Sequence, residues 1–117
     1  MSNGFEDLEV WKKSKNLAVA IYKLSKNFPK EDLFGLTSQI RRSSISVPSN
    51  IAEGACRGSK KEFARFLLIA QGSCGELRTQ LIIAYEVKIL NELQYRKILN
   101  EIDLIGRMLK ALERKQA

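Results

Sequence analysis

Phe63, Leu67, Ala70, Cys74, Leu77, Leu81 and Ala84 follow one another at spacings of four and three without a break. Such a run places one seam along an α-helix and packs as in a coiled coil. A helix of that length, read over about residues 60–88, needs other helices to cover its seam. Val10, Leu17, Ile21, Leu24 and Phe28 form the stripe of a first helix over about 7–27, which Pro29 ends by pushing the preceding residue out of the helical region. Tyr95, Ile98, Ile102, Ile105, Leu109 and Leu112 form the seam of a last helix over about 92–114. Ser59 with Glu62 reads as a capping box, and Asn91 with Gln94 as a weaker one. No stretch alternates with period two, so the expected fold is all-α: one domain over 1–117, an up-and-down four-helix bundle.

The second helix, about 37–53, carries a proline in its interior. Pro48 gives no N–H to the carbonyl of Ser44 and crowds it, at a cost of about 3 kcal/mol, so a kink is expected there. Ser43, Ser44, Ser46 and Ser49 are available to bond freed backbone groups, Thr37 or Ser38 is the expected N-cap, and Gly54 the expected stop.

The long helix is apolar nearly all round. Leu68, Ile69, Ile82 and Ile83 lie off its seam, and Ile45 and Val47 add apolar surface on the second helix. One bundle does not need so much apolar face, so these six residues are read as a subunit interface. The competing reading makes the long helix merely the most central one of a monomer. Gly72 and Gly75 each cost about 1 kcal/mol relative to alanine in a helix interior, which points to close helix approach.

The chain of 117 residues has 44% apolar and 28% charged residues, a net charge of +7 and no histidine. It lacks an apolar run of the roughly 20 residues that span a bilayer, and its first seven residues do not read as a signal peptide, so a soluble cytoplasmic protein with no membrane partner is expected. Cys56 and Cys74 are expected to be reduced and too few for a metal site. Glu53, Glu62 and Glu76 have no catalytic partner set, and Glu76 is expected to pair with Arg41 or Arg42. Ser46 and Ser73 lack a base, and Gly54-Ala-Cys-Arg-Gly58 lacks the Gly-Lys-Ser/Thr end of a phosphate loop. No catalytic residue, metal or cofactor is assigned, and the expectation is a protein that is not an enzyme.

Its positive charge is spread over all segments, so a basic patch must be assembled by folding or association. Arg57, Lys60, Lys61 and Arg65 surround the start of the long helix, where the backbone already favours anions. Lys12, Lys13 and Lys15 cluster on the first helix, and Arg41 with Arg42 offers forked donors for phosphate oxygens. Each cluster taken alone reads first as a solvated surface, and only together do they point to a binding role. Trp11, Phe28, Phe63, Phe66 and Tyr85 read as core, while Tyr22 and Tyr95 are freer.

Phe5-Glu-Asp-Leu-Glu-Val-Trp11, Phe28-Pro29, Gly35 to Arg42, Val47-Pro-Ser-Asn-Ile-Ala-Glu-Gly54, Gly72-Ser73 and Glu76-Leu77 resemble, in order, the four-helix-bundle proteins encoded in intervening sequences of bacterial 23S rRNA genes. The resemblance implies barrel-shaped homopentamers. A related accessory protein of diversity-generating retroelements is similar in fold, and its basic pentamer surface binds nucleic acid and a reverse transcriptase. The expected partners are therefore further copies of the chain, and RNA or DNA. The alternative is a scaffold that docks a protein partner and uses its charge for solubility alone.

Overall fold

The computed structural model describes residues 4–117; Met1, Ser2 and Asn3 of the N-terminal stretch read above lie outside the described residues. A short 3₁₀ turn, Gly4–Asp7, leads into α1 (Glu9–Ser25). A second 3₁₀ turn, Lys30–Asp32, precedes α2 (Leu36–Ala55), and α3 (Lys60–Glu86) and α4 (Glu92–Arg114) follow across short loops. Both α1 and α3 lie against α2 and α4, with α2 and α3 in the most extensive contact, while the diagonal pairs make no close backbone approach. This is an up-and-down four-helix bundle, 43 × 23 × 21 Å.

The predicted seams are the core. Leu67, Ala70, Leu77, Leu81 and Ala84 of α3 meet Ile40, Val47 and Ile51 of α2, Val10, Leu17 and Ile21 of α1, and Ile98, Ile102, Ile105 and Leu109 of α4 in one buried cluster. Val47 is therefore a core residue, 3% exposed, and not part of an outer interface. Its side chain points inward because it continues the Ile40–Ile51 row at helical spacing.

Small residues let α2 and α3 approach closely. The hydroxyls of Ser46 and Ser73 meet across the interface at 2.8 Å, and Ser43 Oγ donates to Gln80 Oε1 at 2.7 Å. Gly54 does not stop α2; it lies inside the helix and is buried, directly beneath Phe66. The turn after it closes through Gly58, whose φ of +79° an L-residue side chain disfavours. Pro48 is also buried within an unbroken α2. Ser44 donates to the carbonyl of Arg41, the Ser43 hydroxyl also lies 3.3 Å from the Ile40 carbonyl, and Asn50 Nδ2 donates to the carbonyl and hydroxyl of Ser46.

Gly72 and Gly75 depart from expectation. A Cβ at either would meet nothing within 4 Å, so no helix of this chain packs on them; they face outward. At α2, Gly35 occupies the N-cap position without a side-chain cap, and the buried Thr37 hydroxyl has no partner. Ser59 caps α3 by accepting from Glu62 N at 3.1 Å, whereas the Glu62 carboxylate is held by arginines. The reciprocal box forms instead at α4, between Asn91 and Gln94. Beyond Glu86, Lys88 turns to φ +67° and the N–H groups of Ile89 and Leu90 both donate to the Ala84 carbonyl, which closes the last turn earlier than predicted.

Candidate nucleic-acid interface

The antiparallel topology puts the start of α1, the α2–α3 turn and the end of α4 at one end of the bundle. There Phe5, Leu8, Ala55, Ser59, Lys60 and Phe63 line an open cleft of about 360 Å³. Arg57, Lys60, Lys61 and Arg65 cluster beside it, but they are not equivalent. Arg57 donates to Glu53 Oε2 at 2.9 Å and lies 3.9 Å from Glu62, and Arg65 binds the same Glu62 through two hydrogen bonds, 3.0 and 3.3 Å. The two guanidinium groups also lie over the Phe66 ring, 5.0 and 4.5 Å from its centroid. The hydrogen bond from Arg65, then the positive charges of Arg65, Arg57 and Lys61, hold the Glu62 carboxyl below its ordinary range, and the same bond raises the pKa of Arg65. Lys60 and Lys61 are exposed and unpaired among the described residues.

Arg41 and Arg42 do not join this end. Sixteen residues of rise, about 24 Å along a helix, separate Arg41 from the level of Arg57. Arg41 braces α1: its Nε donates to Ser25 Oγ at 2.7 Å, Ser25 Oγ donates to the Tyr22 carbonyl, and the guanidinium lies 4.5 Å from the Tyr22 ring centroid. Arg42 is exposed and unpaired among the described residues, and Glu76, exposed as well, pairs with neither arginine. Lys12 pairs with Glu9 at 3.6 Å, while Lys13 faces Glu101 and Leu104 in a groove between α1 and α4. Tyr95 is not free either, since it stacks on Tyr85 at 4.1 Å.

The exposed apolar residues form separate patches. Leu68, Ile69 and Ile83 lie on the outer side of α3, with Ile82 half-buried beside them. Ile45 lies one turn beyond Arg41 and so on the α1 side of α2, where Tyr22 and Val19 are also exposed. The opposite end of the bundle carries Leu33, Val87 and Leu93 and the 95%-exposed Phe34. Sequence reasoning missed Phe34, Val87 and Leu93 because each lies in or next to a loop, outside any periodic run.

The two thiols are free and differ in kind. Cys56 is exposed, whereas burial pushes the Cys74 thiol up to about 11. A disulfide reagent at mildly alkaline pH should label Cys56 rapidly and Cys74 only on unfolding, as counted by mass spectrometry; rapid double labelling would show that the α3 core opens in the native state.

No helix among the described residues is long and apolar enough to cross a membrane. No curated protein matches the chain. A crystal structure of a protein of unknown function from the S23 ribosomal protein family of Bacteroides thetaiotaomicron VPI-5482 superposes with a TM-score of 0.83 at 28% identity, covering 89% of this chain and 97% of that one. The family model of the 23S rRNA-intervening sequence protein matches residues 6–111. With nearly all of the bundle inside that match, the chain belongs to the 23S rRNA-intervening sequence protein family.

Proposed function

We propose that this protein is a non-enzymatic homo-oligomer, a pentamer as the family resemblance implies, whose assembled basic surface binds RNA or DNA through phosphates. One observation carries the reading: the six ion pairs among described residues engage only five of the twenty lysines and arginines. Lys60 and Lys61 present two of the free charges side by side at the start of α3, where the helix backbone also favours anions. Two unlike apolar patches, Leu68–Ile69–Ile83 on α3 and Ile45–Tyr22–Val19 between α1 and α2, support association. Unlike surfaces meeting head to tail close rings when the rotation permits.

Fluorescence anisotropy with labelled structured RNA and duplex DNA, at low and physiological salt, tests the binding, and light scattering tests the mass. Micromolar or tighter binding that weakens steeply with salt is expected, together with a mass of several protomers. Absence of binding at low salt would favour the scaffold reading, which the Phe34 end supports; a protein partner held there would be lost in Phe34→Ser.

A further inference from the structure

A groove of about 350 Å³ runs between α3 and α4. Gly75 and Gly106, one from each helix, line it together with Arg78, Asp103, Arg107 and Lys110. A Cβ at either glycine would meet nothing within 4 Å, so packing inside the chain requires neither. Each nevertheless costs helix stability relative to alanine. What the pair provides is bare helix backbone on both walls of one groove, against which another chain can lie closely.

The charges around the glycines select the occupant. Arg78 Nε donates across the groove to Asp103 Oδ1 at 3.1 Å, which uses the one carboxylate lining it. Arg107 lies one turn beyond Asp103 and Lys110 one further, yet neither has a hydrogen-bond or ion-pair partner among the described residues. Arg114 continues the row, each step rising about 4.5–6 Å along α4. An apolar helix laid here would leave two cations unpaired, whereas an oxyanion satisfies them.

We propose that the α3–α4 groove is a second phosphate-binding site, with Arg107 and Lys110 as ligands, Arg78 positioned by Asp103, and the two glycines admitting a sugar–phosphate backbone. The proposal rests on the nucleic-acid reading above for the source of the phosphate; the same donors would also take a free phosphate.

The test compares the wild type with R107Q/K110Q and G75L/G106L, and with K23Q/K97Q as an equal charge loss outside the groove. The readouts are anisotropy of a fluorescein-labelled RNA hairpin at about 50 and about 200 mM salt, melting temperature and light scattering. R107Q/K110Q should bind at least about tenfold more weakly, with a salt slope smaller by about two. G75L/G106L keeps every charge; it should weaken binding by a similar factor while melting no lower than wild type. K23Q/K97Q should stay within about threefold of wild type. If wild type binds RNA and both groove variants match it, or G75L/G106L changes only the oligomer's mass, the groove proposal falls and the nucleic-acid reading stands. If wild type binds no RNA but inorganic phosphate shifts the Gly75 and Gly106 amide resonances, that reading falls and the groove takes free phosphate. Loss of both signals overturns both.

Discussion

Gly54→Ala should lower the melting temperature, although this exchange inside a helix ordinarily raises it. The new Cβ would sit 2.6 Å from Phe66 Cβ, 3.2 Å from Phe63 Cδ1 and 3.4 Å from Phe63 Cα. Two of these atoms are at the root of a side chain or in the backbone, so no terminal rotamer change relieves the approach. Helix propensity returns up to about 1 kcal/mol, while forcing an extra methyl into a packed contact costs about 1–3 kcal/mol. A net loss on the order of 1–2 kcal/mol lowers the melting temperature by roughly 5–10 °C for a domain near this size, and Gly54→Leu should cost more. Gly106→Ala supplies the opposite sign: with nothing within 4 Å of its Cβ, it should gain up to about 1 kcal/mol. Thermal melts followed by circular dichroism measure both. A higher melting temperature for Gly54→Ala would mean that α2 and α3 separate at little cost, and that the glycine answers to the turn instead.

That pair shows what a sequence states about a helix and what it leaves unstated. The Phe63–Ala84 seam was legible because every position along it repeats the same angular offset, and its members lie in the observed core. Which side of a helix a glycine faces is also a matter of angle, but glycine carries no hydrophobic label to fix it. Gly54 therefore read as a stop and is a close point of the α2–α3 contact, while Gly72 and Gly75 read as contacts and face outward. Val47 was misplaced for a related reason: with Ile45 and Ile51 nearby, α2 is apolar on two sides, and only the partner helices decide which side is inside. The candidate cations were legible as a list. The division of the four at the α2–α3 turn into braced Arg57 and Arg65 and free Lys60 and Lys61 was not, because it depends on Glu53, Glu62 and Phe66 meeting at the start of α3.

From that division comes a binding series whose members differ in sign. Each cation that meets a phosphate contributes about 0.9 to the salt slope on duplex DNA, on the order of tenfold in affinity at 0.1 M salt. K60Q/K61Q removes two unpaired charges and should weaken binding by one to two orders of magnitude, with the slope smaller by about two. Adding Arg57→Gln should change affinity far less, since Glu53 and Glu62 already occupy that guanidinium; its effect belongs in the melting temperature, through the lost ion pairs and the stacking on Phe66. Glu62→Gln should tighten binding, because it releases Arg65 and partly Arg57 and removes a negative charge from the helix start. Acid would do the same only at low pH: the lowered Glu62 pKa means its contribution to folding is complete above the ordinary value of 4.5 and is lost as the pH falls through the lowered one. Anisotropy titrations across salt, with a melt for each variant, separate the effects. Weaker binding by Glu62→Gln, or a K60Q/K61Q protein that binds as wild type does, would move the phosphate contacts away from the α2–α3 turn.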